Sequence, residues 1–339
     1  NFSSFFSVVE FIQLKEVGKS FGTNKVLGNV NVTIQEGEIF GIIGQSGSGK
    51  TTLLNLIAGF LEPSEGEVVY FSKVDHVPKN LHQHFHKIKK HIGFTPQHSS
   101  FYPKLTVKEN LLHFGKLYGI EHKALIDNAK SLLEFTGLYE HRNKLAEHLS
   151  GGMQKRLDLS CSLIHKPKLL ILDEPTANLD PLTQEEIIHL IQEVNKQNVT
   201  VVIASHQLET MEQLCTKLVI IHHGSIRSQG DVDEVLKPLM DDAIVINVST
   251  GKEKERLIEI VKKLPVTKII DQGHQLVLQS ANPELAVAAL IRVARQENLH
   301  LHDVDLRKPS LREILTKITQ EVNASEESAK HEQSMAVNH

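Results

Sequence analysis

The run Ile39-Phe40-Gly41-Ile42-Ile43 passes directly into Gly44-Gln45-Ser46-Gly47-Ser48-Gly49-Lys50-Thr51-Thr52, and the helical run Leu53–Ala58 follows without a gap. Gly44 to Thr51 fits G-x-x-x-x-G-K-[ST], the pattern of a loop that cradles phosphates. The glycines let the backbone N–H groups of Gly44, Gln45, Ser46, Gly47, Ser48 and Gly49 curl around phosphate oxygens, and the helix start behind them adds the positive end of its dipole. Lys50 then reaches the terminal phosphates, Thr51 offers a hydroxyl to Mg2+, and Thr52 completes the candidate phosphate-binding set. An ordinary glycine-rich turn is the competing reading, and the strand before and helix after weigh against it.

Further along, Leu169-Leu170-Ile171-Leu172-Asp173-Glu174-Pro175 is an apolar strand that ends in two carboxylates. In a parallel α/β sheet ligands bind beyond the carboxyl ends of the strands, so both acids are expected to meet the phosphates. Asp173 suits the Mg2+, directly or through water, and Glu174 suits polarising an attacking water; a solvated strand end is the alternative. His206 follows the apolar run Val199–Ser205 and is placed to hydrogen-bond the γ-phosphate, although a lone strand-end histidine is more often structural.

Around these motifs, from Phe11 to about Gly230, short β-rich apolar runs alternate with amphipathic helices, the signature of a mostly parallel sheet covered on both faces. Ile39–Ile43, Leu169–Leu172, Val199–Ala204 and Leu218–Ile221 read as buried strands. Thr106 with Glu109 predicts a capping box, Gly119 closes the helix it opens, and Pro167 ends a helical segment that begins near Ser150. Ile187, Leu190, Ile191 and Val194 have helical spacing behind an acidic start at Glu185 and Glu186.

After Gly230 the texture changes to β-α-β-β-α-β: Ile244, Ile246 and Val248 as a strand, a helix capped by Thr250 and Glu253 with core face Leu257, Val261 and Leu264, and a hairpin Val266–Ile270/Gln275–Gln279. A helix entered at Asn282-Pro283 and a strand near Leu299–Val304 complete the order. This predicts a small ferredoxin-like α+β domain over 242–320, behind a first domain over 11–232. Ser310 with Glu313 caps one more helix, and the Glu/Ser-rich end, 321–339, reads as disordered.

The composition of the 339-residue chain, with 40% apolar and 23% charged residues, 20 Gly and 11 Pro, is that of a globular protein of about two domains. A net charge of −4 lacks the basic footprint of a nucleic-acid binder, so no nucleic-acid partner is expected. Cys161 and Cys215 are too few for a disulfide framework and read as buried thiols in a reducing compartment. No run reaches 18 apolar residues, so the chain is not expected to span a membrane, and Phe2 to Val9 lack the basic flank of a signal peptide. His76, His82, His84, His86, His91 and His98 cluster, but no Cys or paired carboxylate completes a metal shell. Lys87, Lys89 and Lys90 beside them read as a solvated face or a contact with lipid headgroups.

Ser150-Gly151-Gly152 opens a helix and makes a second anion-binding N-terminus. Leu149-Ser150-Gly151-Gly152-Met153-Gln154-Lys155-Arg156, lying after Gly44–Thr51 and Gln97 and before Leu169–Glu174, resembles the signature of the ATP-binding cassette (ABC) ATPases. The resemblance covers about the first 230 residues. It implies the P-loop NTPase cassette fold, a mostly parallel sheet with a helical subdomain. It also implies a head-to-tail pair, with ATP clamped between the phosphate loop of one cassette and Ser150, Gly151 and Gly152 of the other.

The resemblance further implies that Phe21 stacks on adenine, that Gln97 senses Mg2+ and the attacking water, and that Asp180 links the two sites. On its own residues each has a second reading: Phe21 as core filler, Gln97 as a loop polar residue, Asp180 as a helix cap before Pro181. Met153 and Asn178 depart from the family's commoner Gln and small residue. Leu157-Asp158-Leu159 and the ending Lys308-Pro309-Ser310-Leu311-Arg312-Glu313-Ile314-Leu315 look like the drug-resistance and polysaccharide exporter branch. That branch implies a separate integral membrane permease, with Phe101, Tyr102 and Pro103 near its coupling helices. It implies a cytoplasmic chain, peripheral on the membrane through that permease.

The expected function is an ATP-hydrolysing transporter subunit using ATP and Mg2+. The alternative is a soluble cassette ATPase acting on ribosomes or DNA. Against that alternative, one cassette stands here where translation-type members carry two, and the interval from Lys50 to Asp173 holds no coiled-coil heptads.

Overall fold

The computed structural model describes residues 9–71, 77–241, 245–249, 254–266, 268–271, 275–280, 282–297 and 304–307. Six strands form the central sheet in the spatial order Ser225–Asp231, Lys217–His222, Ile39–Ile43, Thr200–Ser205, Leu169–Asp173, Ile92–Thr95. All neighbours are parallel except the edge pair Ser225–Asp231/Lys217–His222. Every residue of Ile39–Ile43, Leu169–Asp173 and Thr200–Ser205 is buried, which is why these strands read as continuous apolar runs. Register sets the site: Ile43 pairs with Ser205 and Asp173 with Ala204, so the phosphate loop, the two acids and His206 leave one edge of the sheet together.

A second sheet was not anticipated. Asn24–Gln35, Glu10–Phe21, Glu65–Phe71 and Pro78–Asn80 pair antiparallel in that spatial order. Glu10–Phe21 disguises itself because its register shifts at Leu14/Val17 and Val17/Lys19, breaking the period-2 alternation. The two sheets and the helix Lys50–Ala58 share one core that includes Ile12, Val30, Ile42, Leu54 and Ile171.

The helices Val107–Leu117, His122–Phe135 and Gly151–Leu163 enclose a separate core of Val107, Leu111, Leu125, Leu133 and Leu157. The capping box forms as expected, with Glu109 N donating to Thr106 Oγ1 (3.2 Å) and Thr106 N to Glu109 Oε2 (2.8 Å). Met153 packs against this core, and Cys161 and Cys215 are both buried.

The helix carrying Ile187 runs Pro181–Lys196, so Glu185 and Glu186 lie past its first turn. Its start is Asp180, whose carboxylate accepts from Thr183 N (3.1 Å), with Pro181 in the first turn.

The chain divides into two compact units, one ending at Asp231 and the other beginning at Val232. The second unit opens with the helix Val232–Asp241. Four antiparallel strands follow in the spatial order Lys268–Asp271, Gln275–Gln279, Val245–Ser249, Val304–Arg307, with helices Lys254–Val261 and Pro283–Gln296 between them in sequence. That is the split β-α-β-β-α-β arrangement, its core made by Leu257, Val261, Leu276, Leu278 and Leu290. The last strand begins at Val304, where the sequence reading ends it. Ile244, Thr250, Glu253, Ser310, Glu313 and the segment 321–339 lie outside the described residues, as does His76.

Candidate active site

The loop closes on its own lysine. The N-cap of Lys50–Ala58 is Gly49 at φ +105°, a left-handed conformation that leaves the cap without a side-chain bond and turns the first helical N–H groups toward the loop. Lys50 Nζ donates to the carbonyls of Gly44 (2.8 Å) and Gln45 (3.2 Å) and sits 3.7 Å from Glu174 Oε1. Burial pulls the Lys50 ammonium below its usual range, against the opposing pull of Glu174 and Asp173. A buried cation held by carbonyl dipoles and one carboxylate is prepared to take a phosphate in exchange.

Thr51 Oγ1 donates to Asp173 Oδ2 (2.7 Å), while Asp173 Oδ1 is buried without a hydrogen-bond partner. Burial raises the Asp173 carboxyl above its ordinary range, and the Thr51 bond works the other way. An orphaned carboxylate oxygen beside a hydroxyl is a hard-oxygen donor set suited to Mg2+. Ser48 Oγ is likewise buried and unpartnered at the floor of the loop.

Glu174 follows the strand in a left-handed backbone conformation, φ +49°, held by its N–H on the Ala204 carbonyl (2.9 Å). Such a conformation costs a non-glycine residue on the order of 1–3 kcal/mol and is typical of functional sites. Oε1 meets His206 Nδ1 at 2.9 Å and Oε2 accepts from Ser205 Oγ at 3.2 Å. The structure thus gathers Lys50, Thr51, Asp173, Glu174 and His206 into one cluster.

The remaining expected residues stand apart from that cluster. Phe21 is 50% exposed with Lys19 Nζ 5.1 Å from its ring centroid, which removes the core-filler reading and leaves a free aromatic face. Gln97 is exposed, and its carbonyl accepts from Lys155 Nζ (3.1 Å). Ser150 caps Gly151–Leu163, accepting from Met153 N at 3.4 Å. Gly152 faces Thr183 so closely that a Cβ would lie 2.3 Å from its methyl, whereas Gly151 has room. Asp180 realises the cap reading, and Thr183 holds its carboxyl below the usual range. Asn178 sits at φ +61°, a conformation asparagine tolerates better than most residues.

Three residues were missed from the sequence. Ser205, fully buried, ties Glu174 to the backbone N–H of Gln207 (3.1 Å). Lys155 lies in the field of Asp173 and Glu174, its ammonium pulled down by burial. Asp158, 1% exposed, accepts from Ser100 N (2.8 Å) and Ser100 Oγ (2.9 Å). Lys155 and Asp158 lie one turn apart and clamp both ends of the Gln97–Ser100 stretch. The signal available was their i, i+3 spacing on the helix that Ser150 opens.

The family model described as ABC transporter matches residues 27–177. The linearmycin resistance ATP-binding protein LnrL of Bacillus subtilis (strain 168) is 30% identical over 312 residues, 91% of this chain and 98% of that protein. The Nod factor export ATP-binding protein I of Rhizobium sp. (strain N33) is 30% identical over 308 residues, 91% of this chain and 96% of that one. Among solved structures, a dimeric post-hydrolysis state of the ATP-binding cassette MJ0796, bound to ADP and Pi, aligns with a TM-score of 0.57 at 30% identity, over 65% of this chain and 98% of that one. The fold, the gathered phosphate-site residues and full-length relatives agree: the chain belongs to the ATP-hydrolysing, ATP-binding proteins of ABC transporters.

Proposed function

We propose that this chain powers export through a separate integral membrane permease, hydrolysing ATP with Mg2+ at two sites shared by a head-to-tail pair of cassettes. The reading rests on the cluster of Lys50, Thr51, Asp173 and Glu174, together with relatives matched over nearly their whole length that carry resistance and export names. Its place is the cytoplasmic face of the membrane, peripheral through the permease. Among the described residues no helix is long and apolar enough to cross a membrane. The ATP-binding domain spans 11–232 and the accessory domain 242–320. No observation favours a ribosome- or DNA-acting ATPase.

In this mechanism the phosphate loop, from Gly44 to Thr52, wraps the β- and γ-phosphates, and Lys50 leaves Glu174 to neutralise them. Thr51 and the unpartnered oxygen of Asp173 would hold Mg2+, with Gln97 as a further residue assigned to it, and the ion would supply charge neutralisation at the phosphate oxygens. Released from Lys50, Glu174 accepts a proton from water as its oxygen attacks the γ-phosphorus and the bond to the ADP oxygen breaks, giving ADP and phosphate. Ser205 and His206 fix the carboxylate, and His206 also bonds the γ-phosphate. Phe21 stacks on the adenine. Ser150, Gly151 and Gly152 of the second cassette close over the γ-phosphate, with Asp180 at the boundary between sites.

Glu174→Gln keeps the shape and removes the base. ATP binding is expected to persist while turnover falls by about 10²–10⁴-fold. Unchanged turnover in that variant contradicts the assignment of Glu174.

A further inference from the structure

A cavity of about 350 Å³ opens between the antiparallel sheet and the start of the central strands, well away from the phosphate cluster. Ile92 and Leu169, which line it, are the first residues of their parallel strands, whereas Asp173 is the last residue of the second. A five-residue strand separates the two edges by roughly 13 Å, so this cavity faces away from the nucleotide.

Its floor is apolar: Phe11, Tyr70, Ile92 and Leu169 are all buried. The Tyr70 hydroxyl is already committed to the Ile57 carbonyl (3.0 Å), so the ring alone is offered. Its wall carries the ammonium groups of Lys79, Lys87 and Lys168 beside the imidazoles of His84 and His91. Among the described residues no carboxylate lines it, and neither Lys87 nor Lys168 has an ion-pair partner. The His91 imidazole is pushed below its ordinary range, first by burial and then by Lys168 and Lys90.

An apolar floor under unpaired ammonium groups selects a ligand with both properties. We propose that this cavity binds a small organic anion with an apolar body, such as a fatty or aromatic carboxylate or sulfonate. The anionic head lies against Lys87 and Lys168, and the body lies on the Phe11–Tyr70 floor. Lys87, next to the histidine-rich stretch, thus gains a role besides solvation. The proposal stands independently of how ATP is hydrolysed at the other edge of the sheet.

The test is a titration of the whole protein with 8-anilinonaphthalene-1-sulfonate, whose emission rises in apolar sites; the chain has no Trp to interfere. The expected result is one saturable site, displaced by dodecanoate but not by dodecyltrimethylammonium and not by ATP with Mg2+. Both lysines are exposed, so Lys87→Glu with Lys168→Glu is compatible with folding, and this pair is expected to weaken the probe at least about tenfold. Lys123→Glu, on the exposed face of another helix, is expected to leave it unchanged. Each buried methylene should strengthen a fatty carboxylate about fourfold. The proposal is overturned if ATP displaces the probe, if the cationic detergent displaces it equally, or if the double charge reversal leaves affinity where it was while circular dichroism shows the fold intact.

Discussion

Two helices of the first unit begin in ways suited to an anion, and they begin differently. Lys50–Ala58 starts at a left-handed glycine with no side-chain cap; its first residue is a buried lysine beside Glu174 and its second, Thr51, bonds Asp173, both acids coming from elsewhere in the fold. Gly151–Leu163 starts at Ser150, whose hydroxyl caps the helix, and both Ser150 and Gly151 are exposed. Around that second start lie Leu179 and Thr183, the latter bonded to the Asp180 carboxylate (2.6 Å). One N-terminus is completed by its own chain and the other is presented outward. In the proposed head-to-tail pair, a second molecule brings the outward end.

The comparison can be broken at the outward end. Gly151 has room for a side chain, with only Leu179 Cδ2 within reach of a Cβ at 3.8 Å, so Gly151→Asp should fold normally. It places a negative charge where a phosphate would arrive. Turnover is expected to fall by about 10²–10³-fold, in line with loss of one preorganised donor group, while ATP affinity of the dilute single chain stays unchanged. A fall in that affinity would place Gly151 in the chain's own nucleotide site and end the contrast.

The far end of the same helix provides a pH test. His165 donates from Nε2 to the Ile92 carbonyl (3.0 Å), stacks on Tyr118 with ring centroids 3.6 Å apart, and leaves Nδ1 buried without a partner. Burial lowers its imidazole from an ordinary 6.5 to about 4. A depressed folded-state value means that the unfolded chain takes up the proton first as pH falls. The stabilisation is complete above about pH 6.5 and lost on descending to about pH 4, by about 3 kcal/mol from 1.36 kcal/mol per unit. In His165→Gln, denaturant unfolding measured across that window should show a visibly shallower acid loss. An identical slope would remove His165 from the account.

The smallest effect sharpens how the helix with the outward end is tied to Gln97. Asp158→Ala removes the charged acceptor shared by the N–H and hydroxyl of exposed Ser100 and should cost about 1–3 kcal/mol in unfolding free energy. Asp158→Asn keeps an acceptor oxygen and should recover most of that loss. If Asp158→Asn is as unstable as Asp158→Ala, the charge rather than the acceptor holds the loop.

The phosphate loop and the carboxylate-ended strand were legible because their chemistry is contiguous: Gly44–Thr51 and Leu169–Glu174 each carry motif, strand and charge within a few residues. The six-stranded sheet followed from the same runs, since full burial on both faces leaves an unmistakable apolar stretch. The antiparallel sheet did not follow, because bulges in Glu10–Phe21 move apolar residues off the alternating positions. The true start of Pro181–Lys196 was hidden by a first turn with no apolar face; Leu182 there is 75% exposed, so periodicity begins only at Ile187. Ser205, Lys155 and Asp158 act through partners tens of residues distant, at Glu174, Gln97 and Ser100, and such pairings exist only once the sheet is assembled.

The central claim, that each hydrolytic site joins the inward helix start of one chain to the outward start of another, has a direct measurement. Lys50→Ala disables the first and Gly151→Asp the second, so each pure variant should be inactive. In a mixture, the mixed pair contains one site built from the intact phosphate loop of the Gly151→Asp chain and the intact Ser150–Gly152 end of the Lys50→Ala chain. The account predicts that ATP hydrolysis reappears on mixing, well above the sum of the two variants alone; activity that stays at that sum contradicts it.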